Sequence, residues 1–150
     1  MATRRFAVIM GVAFIVVGAL GFVPGVTQMV GDDPNLTLEG AGHGYLLGLF
    51  HVNVAHNLIH IIFGILGILM SRSFENAVTY ARILAVAYGL LAIMGLVSAA
   101  NMNYTFGLVP IHGNDVWLHA LIAIAAGYFG FAAKPAGTAT GAVDTTRPAM

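Results

Sequence analysis

The sequence predicts an all-α fold, a four-helix transmembrane bundle running up-down-up-down with the N- and C-termini cytoplasmic. Three observations carry that expectation. Hydrophobic residues make up 59% of the 150 and charged residues only 8%, and the mean hydropathy of +0.88 lies far above that of a soluble domain. Asp, Glu, Lys and Arg are absent from 6–31, 40–71, 83–114 and 116–133, the shortest of which has 18 residues. A span needs about 20 largely apolar residues to cross roughly 30 Å of hydrocarbon, so each run holds one. Finally, Arg4 and Arg5 precede the first span, Arg72 and Arg82 flank the link between the second and third, and Lys134 and Arg147 follow the fourth. In an up-down bundle all six cations fall on one side, which the positive-inside rule makes cytoplasmic.

The expected spans are 6–23, 50–70, 80–100 and 114–133. Span 1 follows MATRRFAVIM, which resembles the start of a signal peptide. Its apolar run is longer than a usual h-region and no A-x-A site ends it, so it reads as a retained span. Pro24-Gly25 ends it. The segment 26–44 is an outer loop carrying Asp32, Asp33 and Glu39. The tail 134–150 (KPAGTATGAVDTTRPAM) is small and polar, and reads as a disordered cytoplasmic segment. The first 133 residues form one domain. The absence of cysteine excludes disulfides and thiolate chemistry, and the zero net charge offers nothing to nucleic acid.

The informative stretch is HVNVAHNLIH, 51–60, which runs directly into the apolar IIFGILGILM. At about 100° per residue, Asn53, His56, Asn57 and His60 share one sector of span 2, and Gly64 and Gly67 continue it. Leu58, Ile59, Ile61, Ile62, Ile65 and Leu66 fill the rest. His51 is rotated away from the stripe, and His43 and His112 fall in loops, where a solvated side chain is expected. Span 4 repeats the pattern: Asp115 and His119 are i, i+4, and Ala126 and Gly130 continue their face. His56 and His119 come out at a similar depth, with His60 a turn deeper and Asp115 a turn nearer water. Span 3 adds only Tyr88, Ser98 and Asn101 among small residues.

Such polar groups face the bundle interior, because an unpaired polar group in hydrocarbon costs several kcal/mol. Three chemistries fit. A metal site would take His56, His60, His119 and Asp115 as ligands to zinc or iron, with Asn53, Asn57 and Asn114 orienting the imidazoles. A b-type haem would take His56 and His119 as axial ligands, with Gly64, Gly67, Ala123 and Ala126 leaving room for the macrocycle. In the third reading there is no cofactor, and the His, Asn and Asp side chains bond helix to helix. Gly11, Gly18, Gly21, Gly89 and Gly95 permit close helix packing. Trp117 and Tyr45 anchor the outer interface.

The stretches GALGFVPG (18–25), LLGLFHVNVAHNLIHIIFGILGI (46–68) and FGLVPIHGNDVWLH (106–119) resemble a bacterial family of small four-span membrane proteins, defined only as a domain of unknown function. The resemblance covers roughly 6–133. It rests on an H-N-x-x-H element matched by His56, Asn57 and His60, and on an N-D-x-x-L-H element matched by Asn114, Asp115, Leu118 and His119. It implies the four-span topology and no activity. A looser likeness in span arrangement to small oxidoreductase-associated four-helix membrane proteins lends the redox reading slight weight.

The resulting expectation is a multi-pass protein of a bacterial inner membrane. Its partners are the lipid bilayer and either a second copy of itself or a larger complex. Its His/Asp cluster binds a metal ion or haem near the outer side. The alternative is a non-catalytic accessory subunit of a membrane complex. Catalysis is not argued by the sequence, which shows no independent nucleophile or general base, and the inner halves lack the polar residues a transport path would need.

Overall fold

A computed structural model describes residues 1–132; the expected tail lies outside the described residues. Four helices carry the structure: α1 (Ala2–Leu20), α2 (Val54–Met70), α3 (Phe74–Gly95) and α4 (Asn114–Gly127), the last continued by a π turn over Tyr128–Ala132. α1, α3 and α4 with its π turn are long and apolar enough to cross a membrane, and α2 is a shorter apolar helix of 17 residues. Their outward faces carry exposed large apolar residues, among them Ile9, Ile62, Leu90 and Ile124. A water-soluble protein does not leave such a surface uncovered, so the chain is a membrane protein.

Neighbouring helices run antiparallel. Gly11 lies against Gly64 and Ile68, and Gly18 against Asn57 and Ile61, so α1 ascends as α2 descends. A Cβ on Gly64 would stand 2.7 Å from the Gly11 carbonyl oxygen, and one on Gly11 would stand 2.8 Å from that of Gly64. Only glycine at both positions lets the two backbones touch. α3 and α4 pair in the same sense, with Gly89 facing Ala123 and Gly95 facing Val116. The core between them is built from Phe6, Phe14, Tyr80, Leu84, Tyr88 and Ala126. Tyr80 donates its hydroxyl proton to the Phe63 carbonyl (3.1 Å), tying α3 to α2.

The ends of the bundle differ. One gathers Arg4, Arg5, Arg72 and Arg82. Arg4 donates from Nε to the Ser71 carbonyl (2.7 Å) and Arg82 from Nε to the Gly130 carbonyl (2.8 Å). α3 begins at Phe74, capped by Ser73, rather than near 80, so Arg82 falls within the helix. Arg82 folds its guanidinium onto a carbonyl of the π turn and so is tolerated inside a helix. Gly95 closes the helix earlier than the expected 100. Residues 99–107 instead form an irregular 3₁₀ segment in which Ala100, Asn101, Thr105 and Phe106 hold positive φ angles.

The opposite end departs most from expectation. The segment between α1 and α2 forms a three-stranded antiparallel sheet in the order β1 (Thr27–Met29), β2 (Gly44–Leu46), β3 (Phe50–Val52). Span 2 is therefore not helical from residue 50. The chain 50–52 is strand, Asn53 is extended at φ −142°, and the helix begins at Val54. The alternation Phe50-His51-Val52 with β-branched Val54 suits a pleated strand as well as a helix start, and pairing with β2 decides it.

A candidate metal centre beside an imidazole chain

Asn53 sets the register of everything below it. Its side-chain oxygen accepts the His56 backbone N–H (2.9 Å), a cap at the head of α2. Its amide donates to the Leu38 carbonyl and to that of Leu108 (2.8 Å), fastening both outer loops to the helix. From this start the buried residues of α2 are His56, Asn57, His60, Gly64 and Gly67, with Leu58, Ile62 and Ile65 outward. α4 starts after Gly113 at φ +66°, and it buries Asp115, Val116, His119 and Ala126.

The two helices bring His56, Asp115 and His119 together. Each offers one ligand atom, and the three atoms lie within 4.8 Å of one another, all on buried residues. His60 sits alongside, its ring centroid 4.6 Å from that of His56, stacked on Phe14 at 5.4 Å. Phe14 also stacks on Tyr88, whose ring meets His119 edge-on at 5.0 Å. A cavity of about 70 Å³ lies here, lined by the three histidines, Tyr88 and Thr105 among others.

The hydrogen-bond ledger singles the place out. Among the described residues, the buried side-chain atoms without a partner are Nδ1 of His56, His60 and His119, Oδ2 of Asp115, and both amide atoms of Asn57. Every one belongs to this cluster or adjoins it. An unmet buried polar group costs about 1–3 kcal/mol, so native chains rarely gather them without a ligand to satisfy them.

The expected orienting asparagines act otherwise. Asn53 serves the helix cap and loop carbonyls. Asn114 is exposed and donates to the Leu49 carbonyl (3.2 Å). Asn57 packs its amide where side chains on Gly21 and Gly42 would stand. None of the three hydrogen-bonds an imidazole. Gly64 and Gly67 do not leave a slot either, since Ile15 and the Tyr80 hydroxyl fill the space beside them.

Sequence reasoning missed a second group. His43 and His112, expected to be solvated, are buried and half-buried. They join His51, which is indeed apart from the inner stripe. His43 Nε2 lies 3.0 Å from His51 Nε2, and His51 Nδ1 lies 3.3 Å from His112 Nε2. Tyr45 stacks on His51 at 4.8 Å, and Tyr104 lies 4.8 Å from His112. Burial, and then the neighbouring histidines, push the His51 pKa down to about 4, and burial lowers that of His112. Both are neutral at neutral pH. The glycines and proline around His43 and His112 announce turns, but nothing in the sequence says that two turns and a strand meet.

The family model for the domain of unknown function DUF4383 matches residues 4–132, so the chain belongs to that family. No curated protein and no solved structure matches it.

Proposed function

We propose that this DUF4383 protein is a four-span membrane protein that holds one divalent transition-metal ion, zinc or iron, between α2 and α4. His56, His119 and Asp115 are the ligands, and the His60 ring packs beside His56 at the edge of the site. The supporting observation is the meeting of three ligand atoms within 4.8 Å with the unpartnered buried atoms of the same residues. Two imidazoles and a carboxylate make a borderline donor set with a position left open for water or substrate.

The cavity's size favours an ion over a macrocycle. About 70 Å³ accommodates a cation and a water molecule or two, whereas even drug-sized ligands occupy pockets of roughly 300–1,000 Å³. In this reading the end that carries the arginines, far from the sheet, faces the cytoplasm by the positive-inside rule, and the metal site lies toward the outer face of a bacterial inner membrane. Catalysis is not part of the proposal.

The test is elemental analysis of tag-free protein purified in detergent, with His119→Ala and Asp115→Asn as controls. Near-stoichiometric zinc or iron, lost in both variants, is the expected result. Iron accompanied by a Soret band would select haem instead. No metal in any sample after metal-replete growth would sink the reading, and the cluster would then be a hydrogen-bonding element of an accessory subunit.

A further inference from the structure

We propose that His43 and His51 form a second cation site, facing the outer surface, which takes a borderline divalent transition-metal ion through their two Nε2 atoms, with His112 as the residue that positions His51. It shares no residue with the inner cluster and does not depend on it.

The two Nε2 atoms face each other at 3.0 Å. Two imidazoles on a tetrahedral ion with metal–nitrogen bonds of about 2.0–2.1 Å stand roughly 3.3 Å apart. A widening of a few tenths of an ångström therefore converts the present pair into a chelate. His51 is prepared for that role. Its Nδ1 lies 3.3 Å from Nε2 of His112. With the proton on Nδ1 donated to His112, the lone pair of Nε2 is left toward His43. Metal-binding imidazoles are oriented in this way, through a hydrogen bond from the ring nitrogen that does not bind the metal. The backbone holds both rings in place. His51 pairs with Tyr45 across β2 and β3, and the carbonyl of His43 accepts the Val30 N–H (3.4 Å) beside β1.

The surroundings supply access. A depression of about 310 Å³ opens over His51, walled by Tyr45, Asp32 and Asp33. It gives water a path to the His51 side of the site. Two carboxylates at its rim raise the local concentration of cations.

Cu2+ is the probe, because its electron paramagnetic resonance spectrum reports bound nitrogen. Tag-free protein in detergent, with the inner cluster removed by His56→Gln and His119→Gln, is titrated with Cu2+. One equivalent with coupling to two imidazole nitrogens is expected. It should be lost in His51→Phe and in His43→Phe, and His112→Phe should weaken it about 10–100-fold. If the inner substitutions unfold the protein, as circular dichroism would reveal, the same substitutions are made in the otherwise native chain. The bound copper should then fall by one equivalent. Equal copper binding with and without His51, or a spectrum without imidazole coupling, would overturn the proposal and leave the three rings as a hydrogen-bonded clamp.

Discussion

Two groups of three histidines sit at the same end of this protein and meet opposite fates. In the outer group, His43, His51 and His112 hydrogen-bond one another in a row, so the middle ring has both nitrogens engaged. In the inner group, His56, His60 and His119 each leave Nδ1 without a partner, although their rings crowd together. The outer rings are carried by loops and a strand, which can bend until nitrogen meets nitrogen. The inner rings are carried by helices whose faces are fixed by backbone contact at Gly11 and Gly64. The inner group therefore displays unmet lone pairs rigidly, whereas the outer pair must exchange a ring–ring contact for a metal ion before it can bind one.

The largest effect that would break this contrast comes from chelation. In detergent at neutral pH, a strong chelator should lower the apparent stability of the wild-type protein by about 3 kcal/mol, the order expected when a ligand is present at a few hundred times its dissociation constant. His119→Ala should melt lower from the start and lose most of its response to the chelator, while Asn53→Ala should keep the full response. A wild-type melting curve that chelation leaves unmoved would equate the two groups.

Asn53→Ala comes next. Loss of the cap should cost about 1–2 kcal/mol by thermal melting, with metal content unchanged. Loss of metal as well would mean that Asn53 orients the inner imidazoles after all.

A smaller effect belongs to the outer row. His51 titrates near 4 in the folded protein, below the ordinary histidine value of 6.5. Above 6.5 it is neutral whether folded or not and contributes nothing. As pH falls from 6.5 toward 4, the unfolded chain takes up the proton first, so stability declines across that window and levels off beneath it. His112 adds to the decline in the same direction. In melting temperatures between pH 7 and 4, the slope should be shallower in His51→Phe than in the wild type. Identical slopes would show that the row does not stay neutral.

The smallest concerns Asn57, whose two amide atoms are both unpartnered. Asn57→Ala should change stability by less than about 1 kcal/mol, because the loss of packing is offset by removing an unsatisfied amide. A loss above 2 kcal/mol would reveal a partner and draw Asn57 into the inner site.

The helical part of this arrangement was readable from the chain. The α-helical period placed His56, Asn57, His60, Gly64 and Gly67 on one buried stripe and Asp115, His119 and Ala126 on another, and both stripes are buried as expected. Helix faces are local properties, so eighteen or so residues suffice to read them. What escaped was whatever depends on residues far apart. The sheet needs 27–29, 44–46 and 50–52 to meet. The outer histidine row joins positions 43, 51 and 112, and no spacing rule connects them. The early start of α3 is hidden in the chain because Glu75 and Arg82 interrupt its apolar run, and Arg82 reaches a carbonyl on another helix.

The brevity of α2 has a consequence for the surrounding lipid. Seventeen residues at ~1.5 Å each span about 26 Å, less than the roughly 30 Å of an average hydrocarbon layer. If α2 spans the bilayer as proposed, the acyl chains bordering it shorten, or the strand above it sinks toward the headgroups. Either way the water boundary dips at this flank, and His56 and His119 come nearer to it than their sequence depth suggests. Thicker bilayers would raise the cost of that dimple, so chain length in reconstituted vesicles becomes a dial on how readily solutes reach the cluster.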